Sequence, residues 1–285
     1  MYKLGIDIGA SHIGLGIYDS KKNILVKKKY LPYKNPPKIF NKILTKTVTK
    51  KYTKNLIANI DKFIADYKIE YIGLGCPGGV DPKNAIFYGS KALVLGKINF
   101  KEELKKYKCP VYVDNDCNCA AIGEAINNDY DKFLMITIGT GVGFALIKKK
   151  KGKILLAKDE IIWKILSANK VPNKKHEKYI SSFKKLSDRY NKRIGKKLPR
   201  EAIFDDIKNN KDLLNRYIND FNAGIKLISK EVQIKNICIG GSFSSYKRFY
   251  LKDLQKTLEK YNVFIAKKNN DSGIIGATQL PIKKY

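Results

Sequence analysis

Residues 113–125 read VDNDCNCAAIGEA, a stretch with the features of a strand end followed by a helix start. The apolar run at 111–113 predicts a buried strand, and the small residues after Asp116 predict a helix. A carboxylate at the carboxyl end of a strand can face a crevice and take a proton from a substrate hydroxyl. Asp116 is therefore a candidate general base, although its position equally suits a residue that only caps the helix.

The sequence before and after this stretch predicts the same order of strands and helix. In the first half we predict strands at 4–8, 13–18, 23–29 and 71–75 and a helix at 51–67. In the second half we predict strands at 133–138, 142–147 and 236–239 and a helix at 213–232. The repeat predicts an α/β protein with two similar halves around a cleft.

The repeat also suggests where the domains begin and end. We expect an N-terminal α/β domain at 1–114, with residues 273–285 packing back on it. The second α/β domain is expected at 115–272. The Lys-rich, weakly patterned segment 148–212 predicts an insertion in that second domain.

Composition narrows the function classes. The net charge of the 285-residue chain is +31, which suggests a polyanion partner, but only five of the 57 basic residues are Arg. Because Arg is the residue suited to bidentate phosphate and base recognition, we expect no nucleic-acid partner. No apolar run is long enough to span a membrane, and the first strand begins too early for a signal peptide to precede it. Five cysteines in apolar contexts indicate reduced thiols and a cytoplasmic protein.

The first glycine loop, residues 7–12, reads DIGASH and follows a predicted strand. Its backbone N–H groups and the Ser11 hydroxyl could contact a phosphate. Asp7 could hold Mg²⁺ through water. The same residues also fit an ordinary hairpin turn.

Two further glycine loops strengthen the case for phosphate binding. Residues 138–143, IGTGVG, lie between two predicted strands, and residues 237–242, ICIGGS, end another. Glycines let a phosphate or a nucleoside approach the backbone closely. The first of these loops lacks the Gly-Lys-Ser/Thr of a Walker loop, and no helix follows it as in a dinucleotide fingerprint. Together with Asp116, the loops indicate phosphoryl transfer from ATP to a hydroxyl.

Six segments in this order resemble the ROK family of sugar kinases, within the actin/hexokinase/Hsp70 fold group. The segments are 7–12, 76–81, 115–124, 137–143, 240–241 and 272–277. The resemblance runs nearly end to end. It implies two similar ribonuclease-H-like domains of the actin-like ATPase type flanking a cleft, with Asp116 as the catalytic base and with ATP and Mg²⁺ as cofactors.

The resemblance also implies a set of binding residues. The expected sugar contacts are Gly78, Asn115, Asp116, Glu160 and Glu177. The expected nucleotide contacts are Asp7, Gly9, Ser11, His12, Gly139, Thr140, Gly141, Gly240 and Gly241. Asp7 is further expected to bind Mg²⁺ through water.

Several positions depart from the family pattern. His12 stands where the family usually has Lys, and the sugar-binding Asn expected near 90–96 is not visible. Trp163 replaces the His of the family's structural zinc site, and no cysteine lies between residues 120 and 237. We therefore expect no zinc.

These features predict an ATP-dependent kinase for the 6-hydroxyl of a hexose-type sugar. Some N-acylmannosamine kinases of the family lack the zinc cluster, which favours N-acetylmannosamine over glucose as the substrate. A non-catalytic sugar sensor is the alternative from another class. The family's transcriptional repressors carry an N-terminal helix-turn-helix domain, whereas this sequence starts at the first strand. We expect a homodimer with small-molecule partners only.

Overall fold

The computed structural model describes residues 1–33, 42–90, 92–157, 160–168, 180–207, 211–268 and 271–285. They form two units. The first contains 1–128 and 270–283, and the second contains 129–269 and 284–285. No helix within the described ranges is both long enough and apolar enough to cross a membrane.

The first unit is built on a mixed sheet. Its strands are β1 (Tyr2–Ile8), β2 (His12–Asp19), β3 (Ile24–Pro32), β4 (Ile69–Cys76), β5 (Gly79–Asp81), β6 (Ile86–Gly89), β7 (Ile98–Asn99) and β8 (Val111–Asn115). Its helices are α1 (Lys42–Ile64), α2 (Phe100–Glu103) and α3 (Asp116–Ile126). The main sheet has the order β3-β2-β1-β4-β8, and β5, β6 and β7 form a small second sheet. β1, β4 and β8 run parallel, whereas β2 and β3 are antiparallel to their neighbours.

The second unit repeats this arrangement. Its strands are β9 (Lys132–Ile138), β10 (Val142–Lys150), β11 (Lys153–Leu156), β12 (Asn236–Gly240) and β13 (Asn262–Ile265). Its helices are α4 (Glu160–Ala168), α5 (Phe183–Ile194), α6 (Arg200–Ile207), α7 (Lys211–Val232) and α8 (Leu251–Thr257). The sheet order is β11-β10-β9-β12-β13, with β9, β12 and β13 parallel. The equivalent orders confirm the prediction of two similar α/β halves.

Each unit has its own apolar core. In the first, strand residues such as Leu4, Ile6 and Leu74 are fully buried against the apolar face of α1, which includes Leu56 and Ile60. In the second, α4 to α7 cover the sheet. The described residues of the segment 148–212 therefore contribute to the core of the second unit.

The last helix, α9 (Asp271–Ala277), belongs to the first unit and packs on both α3 and the main sheet. The sequence suggested a boundary after Asp114, whereas the first unit extends to Asn128. This difference arises because α3 packs against α9. Residues 284 and 285 join the second unit, where the Tyr285 N–H donates to the Leu156 carbonyl.

Candidate active site

The carboxyl ends of three parallel strands bring the predicted acidic residues to one edge of the first unit. Asp7 on β1 pairs with Gly75 on β4, and Gly75 pairs with Asp114 on β8. Because parallel strands end at the same edge, Asp7 and the residues after Asp114 meet there. The predicted base and the predicted magnesium residue therefore lie in one place.

Asp116 is the first residue of α3, and the residue before it caps the helix. The Asn115 side-chain oxygen accepts from the Cys117 N–H at 3.0 Å, and an Asp116 carboxylate oxygen accepts from the same N–H at 2.9 Å. Asp116 keeps part of its surface open to solvent. Desolvation by the surrounding atoms raises its pKa to about 6, although hydrogen bonds from backbone N–H groups lower it. Asp116 is therefore a partly exposed residue whose raised carboxyl pKa suits a base at neutral pH.

Asp7 lies near the end of β1 against α9. Desolvation and the nearby charge of Asp116 raise the pKa of Asp7 to about 8. Gly273 of α9 allows the contact, because a Cβ there would lie 2.6 Å from an Asp7 carboxylate oxygen. The backbone of α9 therefore forms one wall around this side chain.

The turn after β4 contacts the start of α3. The Asn115 side-chain amide donates to the Gly78 carbonyl at 3.3 Å. Gly78 has φ +88, and a Cβ on it would lie 2.6 Å from the Gly89 carbonyl oxygen, so only glycine fits. Three predicted sugar-contacting residues, Gly78, Asn115 and Asp116, are thus adjacent in the structure.

The first glycine loop closes through a hydrogen bond from the Gly9 N–H to the His12 carbonyl at 2.9 Å. The Ser11 hydroxyl lies 3.2 Å from the His12 Nδ1 atom, and the His12 ring packs edge-on against Tyr30 at 5.7 Å between centroids. Burial lowers the pKa of His12. The imidazole is therefore neutral at pH 7 and does not replace the positive charge of a lysine at this position.

The two glycine loops of the second unit lie beside each other, because β9 and β12 are parallel neighbours. A Cβ on Gly139 would lie 3.4 Å from the Ser242 hydroxyl, and nothing lies within 4 Å of a Cβ built on Gly141. Gly241 has φ +77 and sits against Ile138, whose carbonyl oxygen would be 2.6 Å from an added Cβ. The Gly139–Thr140–Gly141 and Gly240–Gly241 turns therefore form one surface with open space beside Gly141.

The remaining predicted sugar residues are at or beyond the edges of the described segments. Glu160 is the first residue of α4, and Glu177 lies outside the described residues. Trp163 of α4 packs edge-on against Phe144, with 4.9 Å between the ring centroids. Among the described residues, no group of three or more His, Cys, Asp or Glu side chains could hold a metal ion. Trp163 contributes apolar packing to the core of the second unit.

Sequence reasoning missed several contacts that build this edge. The buried Asp114 carboxylate accepts from the Asn115 N–H and from the Asn118 side-chain amide, both at 2.7 Å, and so ties the strand end to α3. In the sequence, the position of Asp114 two residues before Asp116 is the feature that could have predicted this contact. Asp271 of α9 accepts from the Tyr30 hydroxyl at 2.5 Å and from the Lys28 amine at 2.7 Å. No local pattern signals that contact, because more than 240 residues separate the partners.

Comparisons with known proteins identify the family of the chain. A model of the ROK family matches residues 3–154, more than half of the chain. The protein therefore belongs to the ROK family. A glucokinase of Pyrobaculum calidifontis is 29% identical over 157 residues, which cover 55% of this chain and 46% of that relative. The match thus spans about half the length of that relative.

Solved structures match over nearly the whole chain. A ROK family glucokinase of Streptomyces griseus, solved in complex with glucose and AMPPNP, superposes with a TM-score of 0.74 at 20% identity and covers 98% of this chain and 99% of its own. A protein of Listeria monocytogenes, whose assignment as an N-acetylmannosamine kinase is itself a proposal, gives a TM-score of 0.76 at 20% identity, with 98% of each chain covered. These likenesses confirm the fold, which is that of the ROK kinases.

Proposed function

We propose that this protein is an ATP-dependent sugar kinase that phosphorylates the 6-hydroxyl of a hexose-type sugar, with N-acetylmannosamine as the preferred substrate. The observation that carries the proposal is the position of Asp116. Asp116 is a partly exposed residue at the carboxyl edge of three parallel strands, and burial of its carboxyl group raises the pKa to about 6 beside Asp7. Membership of the ROK family supports the same reaction class.

In this mechanism Asp116 takes the proton of the sugar 6-hydroxyl. The bond between that oxygen and the γ-phosphorus forms while the bond from phosphorus to the bridging oxygen of ATP breaks, and ADP leaves with the electron pair. Asp116 is ionised at neutral pH because its pKa is about 6, so it can accept the proton. Asn115 and Gly78, joined by their hydrogen bond, would orient the sugar beside it.

The glycine turns are proposed to bind the nucleotide. The Gly139–Thr140–Gly141 turn has the open space that a phosphate needs, and the adjoining Gly240–Gly241 turn would take the adenosine. In the first unit, Gly9, Ser11 and His12 form the second phosphate-binding turn.

Magnesium would sit near Asp7. A carboxylate oxygen suits Mg²⁺, and a water-mediated contact fits a lone acidic side chain in that loop. When bound, the ion neutralises charge on the transferred phosphate. Asn115 and Gly78 would orient the sugar hydroxyl, and Asp116 would accept its proton.

The preference for N-acetylmannosamine is the finer part of the proposal. It rests on Trp163 at the zinc-site position, on the lack of cysteines between residues 120 and 237, and on the likeness to the Listeria protein. Glucose is the competing substrate, since glucokinases also match this chain in sequence and in fold. Glu160 and Glu177 are proposed to contact the sugar hydroxyls in either case. A homodimer belongs to the same proposal, and sedimentation velocity tests it.

A coupled assay of ADP release tests both the kinase activity and the preferred sugar. It is run with Mg²⁺ and ATP over glucose, mannose, N-acetylglucosamine and N-acetylmannosamine. Turnover of any of these sugars supports the kinase assignment, and the highest kcat/KM identifies the substrate. Sugar binding by calorimetry without turnover of any of them would favour a non-catalytic sensor. The Asp116→Asn variant, assayed in parallel, excludes a contaminating kinase.

A further inference from the structure

The closing helix α9 contacts the Asp7 carboxylate and also packs on α3, the helix that begins with Asp116. Gly273 sits against the Asp7 carboxylate, as described above. On another side, Gly276 sits against α3, where a Cβ would lie 1.7 Å from the Cys119 carbonyl oxygen. Gly123 of α3 sits equally close to α9, with 2.0 Å from a built Cβ to the Ser272 carbonyl oxygen. The two backbones are therefore in direct contact.

One buried polar contact fixes this helix pair. The Ser272 hydroxyl donates to a Glu124 carboxylate oxygen, and the two residues are 0% and 1% exposed. A hydrogen bond to a carboxylate in such surroundings is roughly twice as strong as a neutral one. Glu124 lies in the helix that begins with Asp116, about two turns from it. The contact therefore joins α9 to the helix that carries Asp116.

The first residue of α9 is tied to β3 instead. Asp271 accepts from the Lys28 amine and the Tyr30 hydroxyl, and Lys28 is about half exposed. An exposed ion pair contributes only about 0–1 kcal/mol, so this contact is the weaker of the two attachments. The buried Ser272–Glu124 hydrogen bond is thus the stronger candidate for holding α9 and α3 in register.

We propose that Ser272 and Glu124 are positioning residues, which hold α3 against α9 so that Asp116 keeps the correct place beside Asp7. This inference rests on the proposed kinase function for its catalytic readout. Neither side chain touches the substrate in this scheme. Their loss should therefore lower kcat and leave the Kd for the sugar almost unchanged, because a displacement of about 1 Å can cost 10²-fold in rate.

The test uses the full-length protein and three variants: Ser272→Ala, Glu124→Gln and the double variant. Ser272→Ala removes only the hydroxyl and should lower kcat at least tenfold, with the sugar Kd within twofold of wild type. Glu124→Gln keeps an acceptor oxygen but removes its charge, so it should lower kcat by about two- to fivefold. The double variant should be no slower than Ser272→Ala, because both changes remove the same contact.

Thr53→Ala is the matched control. Thr53 is also buried, and its hydroxyl donates to backbone carbonyls within α1, away from α3 and α9. It should lower the Tm to a similar degree while leaving kcat at the wild-type value. A kcat for Ser272→Ala above half of wild type, or additive losses in the double variant, would overturn the proposal. If Ser272→Ala cannot be purified, Glu124→Gln decides alone, and wild-type kcat in that variant overturns it.

Hydrogen exchange separates this inference from the kinase assignment. The amides of 117–126 should exchange at least tenfold faster in Ser272→Ala than in Thr53→Ala, whether or not any sugar is phosphorylated. If the wild-type protein turns over no sugar but this local effect is present, the kinase proposal falls and the positioning contact stands. Unchanged exchange in this helix contradicts the positioning contact directly.

Discussion

Burial and the negative charge of Asp116 together raise the pKa of Asp7 to about 8, which couples these two carboxyl groups. The pKa of Asp116 is raised less, to about 6, because backbone N–H groups at the start of α3 stabilise its charge. Between these values Asp116 is ionised while Asp7 holds a proton. At neutral pH the pair therefore consists of one ionised and one protonated carboxyl group.

Replacing Asp116 by Asn should abolish turnover and spare sugar binding. The amide has nearly the same shape and can still accept the Cys117 N–H, but it cannot take a proton. Loss of a general base typically costs about 10²–10⁴ in rate. Stopped assays of kcat, with the sugar Kd measured by calorimetry, check this. If the variant keeps more than about a tenth of wild-type kcat, Asp116 is not the base.

The rate should fall as the pH drops through about 6. Burial raises the pKa of Asp116 in the folded protein above the ordinary value of 3.8, so the ionised base is lost at a higher pH than for an ordinary carboxyl. Below the pKa, kcat/KM should decrease about tenfold per pH unit. For stability the sign is opposite: the folded state binds this proton more tightly, so its contribution weakens as pH rises from about 4 to 6. A profile of kcat/KM from pH 5 to 8 at saturating Mg²⁺ checks the first statement, and a flat profile contradicts it.

Much of this architecture follows from local sequence, and the exceptions have physical causes. The strands flanking the glycine turns at 7–12 and 138–143 were predicted because alternation and glycine punctuation are local signals. α1 was predicted from residue 51 but begins at Lys42. Its first turns contain three threonines, which are weak helix formers, and the Thr49 hydroxyl donates to the Thr45 carbonyl one turn back.

The candidate site likewise contains residues that local sequence identifies and contacts that it does not. Asp116 and Asn115 were identifiable because strand end, capping residue and helix are contiguous in sequence. The contact of Asn115 with Gly78 and that of Glu124 with Ser272 join residues 37 and 148 positions apart. Such contacts depend on the parallel pairing of strands and on the return of α9, which no local pattern specifies.

N-acetylmannosamine should be preferred over glucose, with the higher kcat/KM. This expectation rests on Trp163, which stands where the family resemblance places a zinc-binding histidine. In the structure, Trp163 packs against Phe144. Initial rates with both sugars at matched ATP and Mg²⁺ measure the ratio. A value for glucose equal to or above that for N-acetylmannosamine overturns this substrate choice without affecting the kinase assignment.

Activity should not require zinc. A structural zinc needs about four Cys or His ligands, whereas His176 is the only candidate in the corresponding sequence segment, and it lies outside the described residues. Apolar contacts by Trp163 and by the buried Ile180 would stabilise that region instead. Elemental analysis should find no stoichiometric zinc, and a zinc-selective chelator should leave Tm and rate unchanged with Mg²⁺ in excess. Stoichiometric zinc would mean that the segment containing Glu160 and Glu177 is misaligned with the family.

Gly241→Ala should destabilise the second unit more than any other single Gly→Ala change in its loops. Its φ of +77 and ψ of −177 are open essentially to glycine alone, at a cost of about 1–3 kcal/mol for other residues. A Cβ would also meet the Ile138 carbonyl oxygen at 2.6 Å. We expect a Tm lower by at least about 4 °C, since roughly 2–4 °C corresponds to 1 kcal/mol in a unit of this size.

Two controls separate the causes of that loss. Gly152 has φ +72 but no atom within 4 Å of a built Cβ, so Gly152→Ala reports backbone strain without a clash. Gly141 has neither feature, so Gly141→Ala should change the Tm by less than about 2 °C. Differential scanning calorimetry of the three variants should rank the losses Gly241, then Gly152, then Gly141. An equal loss in Gly241→Ala and Gly152→Ala would show that the loop yields to the added methyl group. The close packing of Gly241 on Ile138 would then not be what holds the two glycine turns side by side.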